Sequence, residues 1–272
     1  MIKVGLNGRL GNQLFQYAFA VALSRKYHTF YLISNPSVTD SVKKYFYVRS
    51  LSANKWVRRV LHRYAPRKKL GVVAQTGFEE IDEVQCLIGN KIHYEGYFQS
   101  IHYFQRIAAD IKRVFSIRPA YEKEFTKKYG HLFQQPVLAI HLRIGDYAAW
   151  GGDILGGTNM VLPDSYYDNA LRQIADLSSY KIIVVTDDVE GAKTKLPTIQ
   201  DKIIISDQEI VDFQCLMNAD KLIISNSTFA WWAAILNKKQ AQVFAPEFWL
   251  GFKVKKEYPI GIIPESFVKV SF

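Results

Sequence analysis

Arg143 and the run Ser225, Asn226, Ser227, Thr228 are the residues of this chain best suited to chemistry on an anion. Arginine presents a planar fork of donors that can grip a phosphate in bidentate fashion and neutralise charge growing on it. Arg143 lies in HLRIGDY, 141–147, directly after the apolar run VLAIHL, so it emerges where a strand ends. His141 alternates with it along an extended chain and faces the same side. Asp146 is near enough to pair with the guanidinium, which is the plain structural use of the same arginine. Ser225 to Thr228 begin at the end of the run KLIISN, after its apolar residues Leu222 to Ile224, and precede a helical stretch. All four are helix N-cap residue types, equally suited to capping and to binding phosphate or ribose oxygens.

Two further places could join them. NGRLGNQ, 7–13, brackets Arg9 and Leu10 between Gly8 and Gly11 and puts Asn12 where a helix would take its N-cap. Glycines let the main chain approach a ligand closely, but the spacing matches neither the GxxxxGK[ST] nor the GxGxxG phosphate loop. Asp187 and Asp188 end the run KIIVVTD. Asp187 could accept from a guanine ring or pair with Arg143. Adjacent side chains diverge at a strand end, so no metal is expected there. Trp231 and Trp232 are expected in the core rather than as a sugar-stacking platform.

The elements that must position these groups are clearest after residue 135. VLAIHL (137–142), KIIVVTD (181–187), KIIIS (202–206), KLIISN (221–226) and QVFAP (242–246) are continuous apolar runs of the kind buried on both faces of a parallel sheet. YYDNALRQIADL and DQEIVDFQCLMNAD between them are amphipathic at the helical period. Strands alternating with helices predict a doubly wound α/β fold whose ligand lies beyond the carboxyl ends of the strands. Near the start, IKVGL predicts a strand, and a helix with a 3.6-residue period follows from Gln13. Residues 35–90 mix turns, basic residues and aromatics and yield little pattern. Pro136 marks the expected boundary between a domain of residues 1–135 and one of 136–272.

With 272 residues and 49% hydrophobic composition, the chain can bury two Rossmann-sized cores, and a disordered or fibrous protein is excluded. Cys86 and Cys215 sit far apart in apolar surroundings, which predicts buried free thiols and a reducing compartment. No apolar run approaches the roughly 20 residues of a spanning helix, and the first residues do not resemble a signal peptide. A soluble or peripheral, cytoplasmic protein is expected. Thirty-five Lys and Arg against 25 Asp and Glu give +10. Much of that charge falls in residues 54–70, where Trp56, Val57, Val60, Leu61 and Tyr64 recur at helical spacing. That segment reads either as a solvated helix face or as a peripheral contact with an anionic membrane. No RRM, OB or HTH signature accompanies the charge, so nucleic acid is not the expected partner.

In order, GRLGNQLFQYAFA, GYFQS with the following YF (96–104), HLRIGDY, VTDD and SNSTFAWWAAIL resemble glycosyltransferase family 11, the α-1,2-fucosyltransferases. The resemblance touches both halves of the chain. It implies a GT-B-like arrangement, two Rossmann-like domains facing across a cleft, with an acceptor-side N-terminal domain and GDP-fucose held mainly by the C-terminal one. By the same resemblance, Arg143 would bind the β-phosphate, His141 would lie near the nucleoside and Asp187 would contact the guanine. Ser227, Thr228 and the main chain of Phe229 would line the phosphate and ribose, and Gly11 and Asn12 would reach the fucose from the other domain. The acceptor would be a galactose-terminated or lipid-linked glycan of bacterial capsule or O-antigen synthesis, taking fucose at its 2-hydroxyl with inversion and without a metal or other cofactor. Arg143 and Asn12 are then the expected catalytic residues; Asp153 and Glu95 are acceptor-side candidates only. One departure stands out: many family members carry a second arginine where this chain has Ile144.

Overall fold

The computed structural model describes residues 1–34, 38–48, 71–75 and 77–272. The basic amphipathic stretch of residues 54–70 lies outside them. The described residues form two compact units. Met1–Arg118 joins Pro259–Ile262 in the first, and Pro119–Tyr258 joins Ile263–Phe272 in the second.

In the first unit a parallel sheet runs in the order Tyr31–Ser34, Ile2–Gly5, Ile92–Glu95, Gly71–Ala74. Ile2 and Val4 are wholly buried, and the helix Leu10–Lys26 buries almost every residue as far as Leu23. Its small residues Ala18, Ala20 and Ala22 let neighbours close in around it, and Phe19 stacks on Phe98 at 3.9 Å. Arg25 and Lys26 complement the dipole at its last turn. The helix begins at Leu10 with Arg9 as N-cap, so Asn12 lies inside its first turn rather than capping it. The turn is made at Gly8, whose φ of +73° suits a residue without Cβ, and the helix starts as soon as that turn is complete.

The second unit holds a parallel sheet in the order Lys202–Ile205, Lys181–Thr186, Val137–Leu142, Lys221–Ile223, Gln242–Pro246, Val268–Val270. Numbered along the chain this is 3-2-1-4-5-6, the doubly wound order whose direction reverses between its first and fourth strands. Val137–Leu142 is buried at every position, which is why it reads as an unbroken apolar run. Trp231 and Trp232 are fully buried, as expected of core residues. Truncating such a side chain costs about 3–5 kcal/mol.

The boundary falls at Arg118 and Pro119 rather than at Pro136, and the second unit is not continuous to the C-terminus. The helix Pro119–Tyr129 accounts for the difference, because its bonds go to the second unit. Tyr121 O accepts from Gln214 Nε2, and Lys128 pairs with Asp207 at 2.9 Å. Of the two free cysteines Cys215 is buried as expected, but Cys86 is exposed, because its short helix Ile81–Cys86 buries only Val84. No helix among the described residues is long and apolar enough to cross a membrane.

Candidate functional site

Because the strands ending at Leu142 and Ile223 are neighbours, with Ile140 paired to Ile223, the loops that follow them start side by side at the reversal point. HLRIGDY and SNST are those loops. Arg143 is held there with its side chain only 15% exposed. One guanidinium nitrogen, Nη2, lies 2.6 Å from Asp146 Oδ1, and Nη1 lies 3.0 Å from Asp187 Oδ2. The Tyr147 ring covers the guanidinium at 5.3 Å. Asp187 Oδ1 also accepts the N–H of Ile144 at 2.9 Å. Gly145 makes that seat possible, since a Cβ there would stand 2.6 Å from Asp187 Oδ2.

The two acids of VTDD therefore part company. Asp188 accepts the N–H of Gly191 and caps the helix Val189–Thr194, whereas Asp187 serves the arginine. Among the described residues no group of three or more His, Cys, Asp or Glu is placed to hold a metal ion.

His141 is buried beneath this layer, its Nδ1 2.7 Å from Ser225 Oγ and its ring 5.8 Å from that of Phe229. Burial, helped by the Arg143 charge, pushes its pKa down to about 3, so the imidazole is neutral at ordinary pH. Ser227 takes the N-cap position of the helix Thr228–Ile235 in extended backbone and makes no side-chain capping bond. The positive end of that helix dipole favours an anion at this turn. Asn226 ties the loops together: its main-chain oxygen accepts from Tyr147 Oη at 3.1 Å, and its Nδ2 donates to Met160 O at 3.0 Å.

The remaining residues divide between the units. Asp153 is exposed on a short turn, Asp153–Leu155, between the two-residue strands Gly151–Gly152 and Gly157–Thr158 of the second unit. In the first unit the strands ending at Gly5 and Glu95 are also neighbours, so the Gly8 turn and the GYFQS segment start side by side. Asn12 Oδ1 accepts from Gln99 Nε2 at 2.8 Å, and Gln16 links the two segments by accepting from Asn7 N and donating to Gly96 O. Gly11 is buried in the first turn of that helix. The side chain of Glu95 is 55% exposed, with His93 3.8 Å away. Gln13 Nε2 donates to Gly8 O at 3.0 Å and to Thr39 O at 2.9 Å, and sequence reasoning missed the shaping roles of Gln13, Gln16 and Gln99. Three glutamines within or beside glycine turns were the available signal, since a buried amide can satisfy two turns at once.

Comparison with known proteins places the chain in a family and the fold among known folds. Residues 1–257 match the family model described as "Glycosyl transferase family 11". The O-antigen biosynthesis glycosyltransferase WbnK of Escherichia coli is 24% identical over 283 residues, covering 90% of this chain and 93% of WbnK. An α-1,2-colitosyltransferase of Escherichia coli is 22% identical over 299 residues, covering 99% of each. Among solved structures, NodZ α-1,6-fucosyltransferase soaked with GDP-fucose has a TM-score of 0.56 at 13% identity, covering 86% of this chain and 92% of its own. The fold is that of the GT-B-like fucosyltransferases, and the chain belongs to glycosyltransferase family 11.

Proposed function

We propose that the protein is an inverting glycosyltransferase that moves L-fucose from GDP-fucose to the 2-hydroxyl of a galactoside acceptor, without a metal ion, in the assembly of a bacterial surface glycan such as O-antigen. The observation that carries this reading is the convergence of Arg143 and the Ser227 helix start at the point where the six-stranded sheet reverses order. Ligands of doubly wound sheets bind at such a point.

In the reaction the bond between the anomeric carbon and the β-phosphate oxygen breaks, and its electron pair leaves with GDP. The acceptor oxygen adds from the opposite face and gives up its proton to a base on the acceptor side or to water. Arg143 stabilises the leaving diphosphate, aided by the helix-start amides around Ser227, Thr228 and Phe229. His141, neutral and fixed by Ser225, shapes the nucleoside side. Asp187 already accepts from Arg143 and Ile144, so orienting the arginine is its assigned role in place of a guanine contact.

A second reading differs only in the sugar. A relative of similar length is a colitosyltransferase, and Ile144 stands where a second arginine is common in the family. The experiment that separates the two is product analysis with GDP-fucose and with other GDP-sugars on β-galactosides, in EDTA, with Arg143→Ala as control. An α-1,2-fucoside made by the native protein and not by Arg143→Ala supports the first reading. Turnover of another GDP-sugar alone supports the second, and full activity in Arg143→Ala would falsify the site.

A further inference from the structure

Single exposed apolar side chains are ordinary on a protein surface. Trp150 differs in what stands behind it. Its indole, in a residue 45% exposed, packs on the Tyr147 ring with centroids 5.3 Å apart and planes at 31°. The Arg143 guanidinium also lies 5.3 Å from the Tyr147 ring centroid. Guanidinium, phenol and indole are thus linked by two successive contacts, and the indole is the member that reaches solvent.

The loop carrying Trp150 is built rather than slack. Met160 N donates to Tyr147 O at 2.9 Å and closes its base, which Asn226 then bonds to the Ser225–Thr228 turn. Gly151 has a φ of +145°, and a Cβ there would stand 2.3 Å from Gly157 O, so this tight hairpin needs glycine. Lys253 Nζ donates to Thr158 O from outside. Leu155 and Met160 turn inward and are buried, while Trp150, Asp153 and Ile154 stay in solvent. An aromatic face and a carboxylate on one rigid hairpin are the two groups that recognise a pyranose: the ring stacks on its C–H face and the carboxylate accepts from its hydroxyls.

We propose that Trp150 is the stacking platform for the acceptor sugar, a β-galactopyranoside, and that Asp153 accepts hydrogen bonds from its hydroxyls. This rests on the assignment of the donor diphosphate to Arg143. The reacting hydroxyl must come within about 3–3.5 Å of the donor's anomeric carbon. The acceptor ring therefore sits beside the donor sugar, and Trp150 is joined to the Arg143 guanidinium through the Tyr147 ring by two contacts of 5.3 Å.

The test uses the full chain and its Trp150→Ala, Trp150→Phe and Asp153→Asn variants. GDP affinity is measured by calorimetry, and binding of methyl β-D-galactopyranoside in the presence of GDP by saturation-transfer NMR. The expected result is a GDP Kd within twofold of the native value in all three variants. Galactoside affinity should fall at least tenfold in Trp150→Ala, stay within about threefold in Trp150→Phe, and weaken in Asp153→Asn. Native protein that binds GDP but no galactoside, or Trp150→Ala that binds both as the native protein does, overturns the platform and leaves the donor assignment standing. Native protein that binds no GDP overturns the donor assignment and the platform with it.

Discussion

Asp187 grips Arg143 and the arginine's own loop together, with Oδ2 3.0 Å from Nη1 and Oδ1 accepting the Ile144 N–H at 2.9 Å. One carboxylate thereby fixes both the guanidinium and the main chain that carries it. Asp146 makes a second, more exposed pair with the same side chain at 2.6 Å.

Asp187→Asn keeps an acceptor for Ile144 but removes the charge that orients Arg143. A hydrogen bond to a charged group contributes about 1.5–3 kcal/mol. Relief of repulsion towards the phosphate is worth less than about 1 kcal/mol in a screened site, so loss of orientation dominates. The expected result is a fall in kcat/KM for GDP-fucose of about tenfold to a hundredfold, measured under initial-rate conditions. An unchanged value means that Arg143 needs no such support.

Asp146→Asn should act in the opposite direction. This carboxylate is half exposed and competes with a phosphate for the guanidinium. Removing an exposed competitor gains up to about 1 kcal/mol, or about fivefold tighter GDP binding by calorimetry. Weaker binding in the variant would mean that Asp146 holds the arginine rather than competing for it.

The buried His141 predicts a pH dependence of stability. Its folded pKa, pushed down to about 3, lies below the ordinary value of 6.5, so the unfolded chain binds the proton first. The stability of the neutral ring is complete above 6.5 and is lost as pH falls from 6.5 towards 3, at up to about 1.4 kcal/mol per pH unit. His141→Gln removes this slope. Denaturation midpoints should therefore favour the native protein most at pH 7.5, with the gap narrowing by pH 5. Parallel pH profiles for the two proteins contradict a buried neutral histidine.

Gly8→Ala tests the turn before the first helix. The φ of +73° and a Cβ 2.5 Å from Asn12 Nδ2 would strain the backbone and displace Asn12. A cost of about 1–3 kcal/mol is expected, lowering Tm by several degrees, together with weaker donor turnover. A native Tm with native activity would show that the loop adapts without cost.

The strands of the second unit were legible because Val137–Leu142 and Lys181–Thr186 are buried almost throughout and so had to be apolar without interruption. Tyr31–Ser34, Gly71–Ala74 and Ile92–Glu95 were not, since they lack an unbroken buried run: Val72 is exposed, and the last strand mixes buried Tyr94 with exposed Glu95. Proline chemistry located a boundary at Pro136 correctly as the start of a strand, but the helix before it bonds to Gln214 and Asp207 through side chains that no local pattern reveals.

By itself the sequence determined which residue types emerge at strand ends: Arg143 after VLAIHL, Asp187 after KIIVVT, and Ser225 to Thr228 after KLII. Local period and side-chain chemistry are written in neighbouring residues, so these could be read without coordinates. Only the tertiary structure decided that Asp187 rather than Asp188 serves Arg143, and that Ser225 meets His141. Those two pairings depend on strand order in the sheet, which long-range packing sets and which spacing along the chain does not encode.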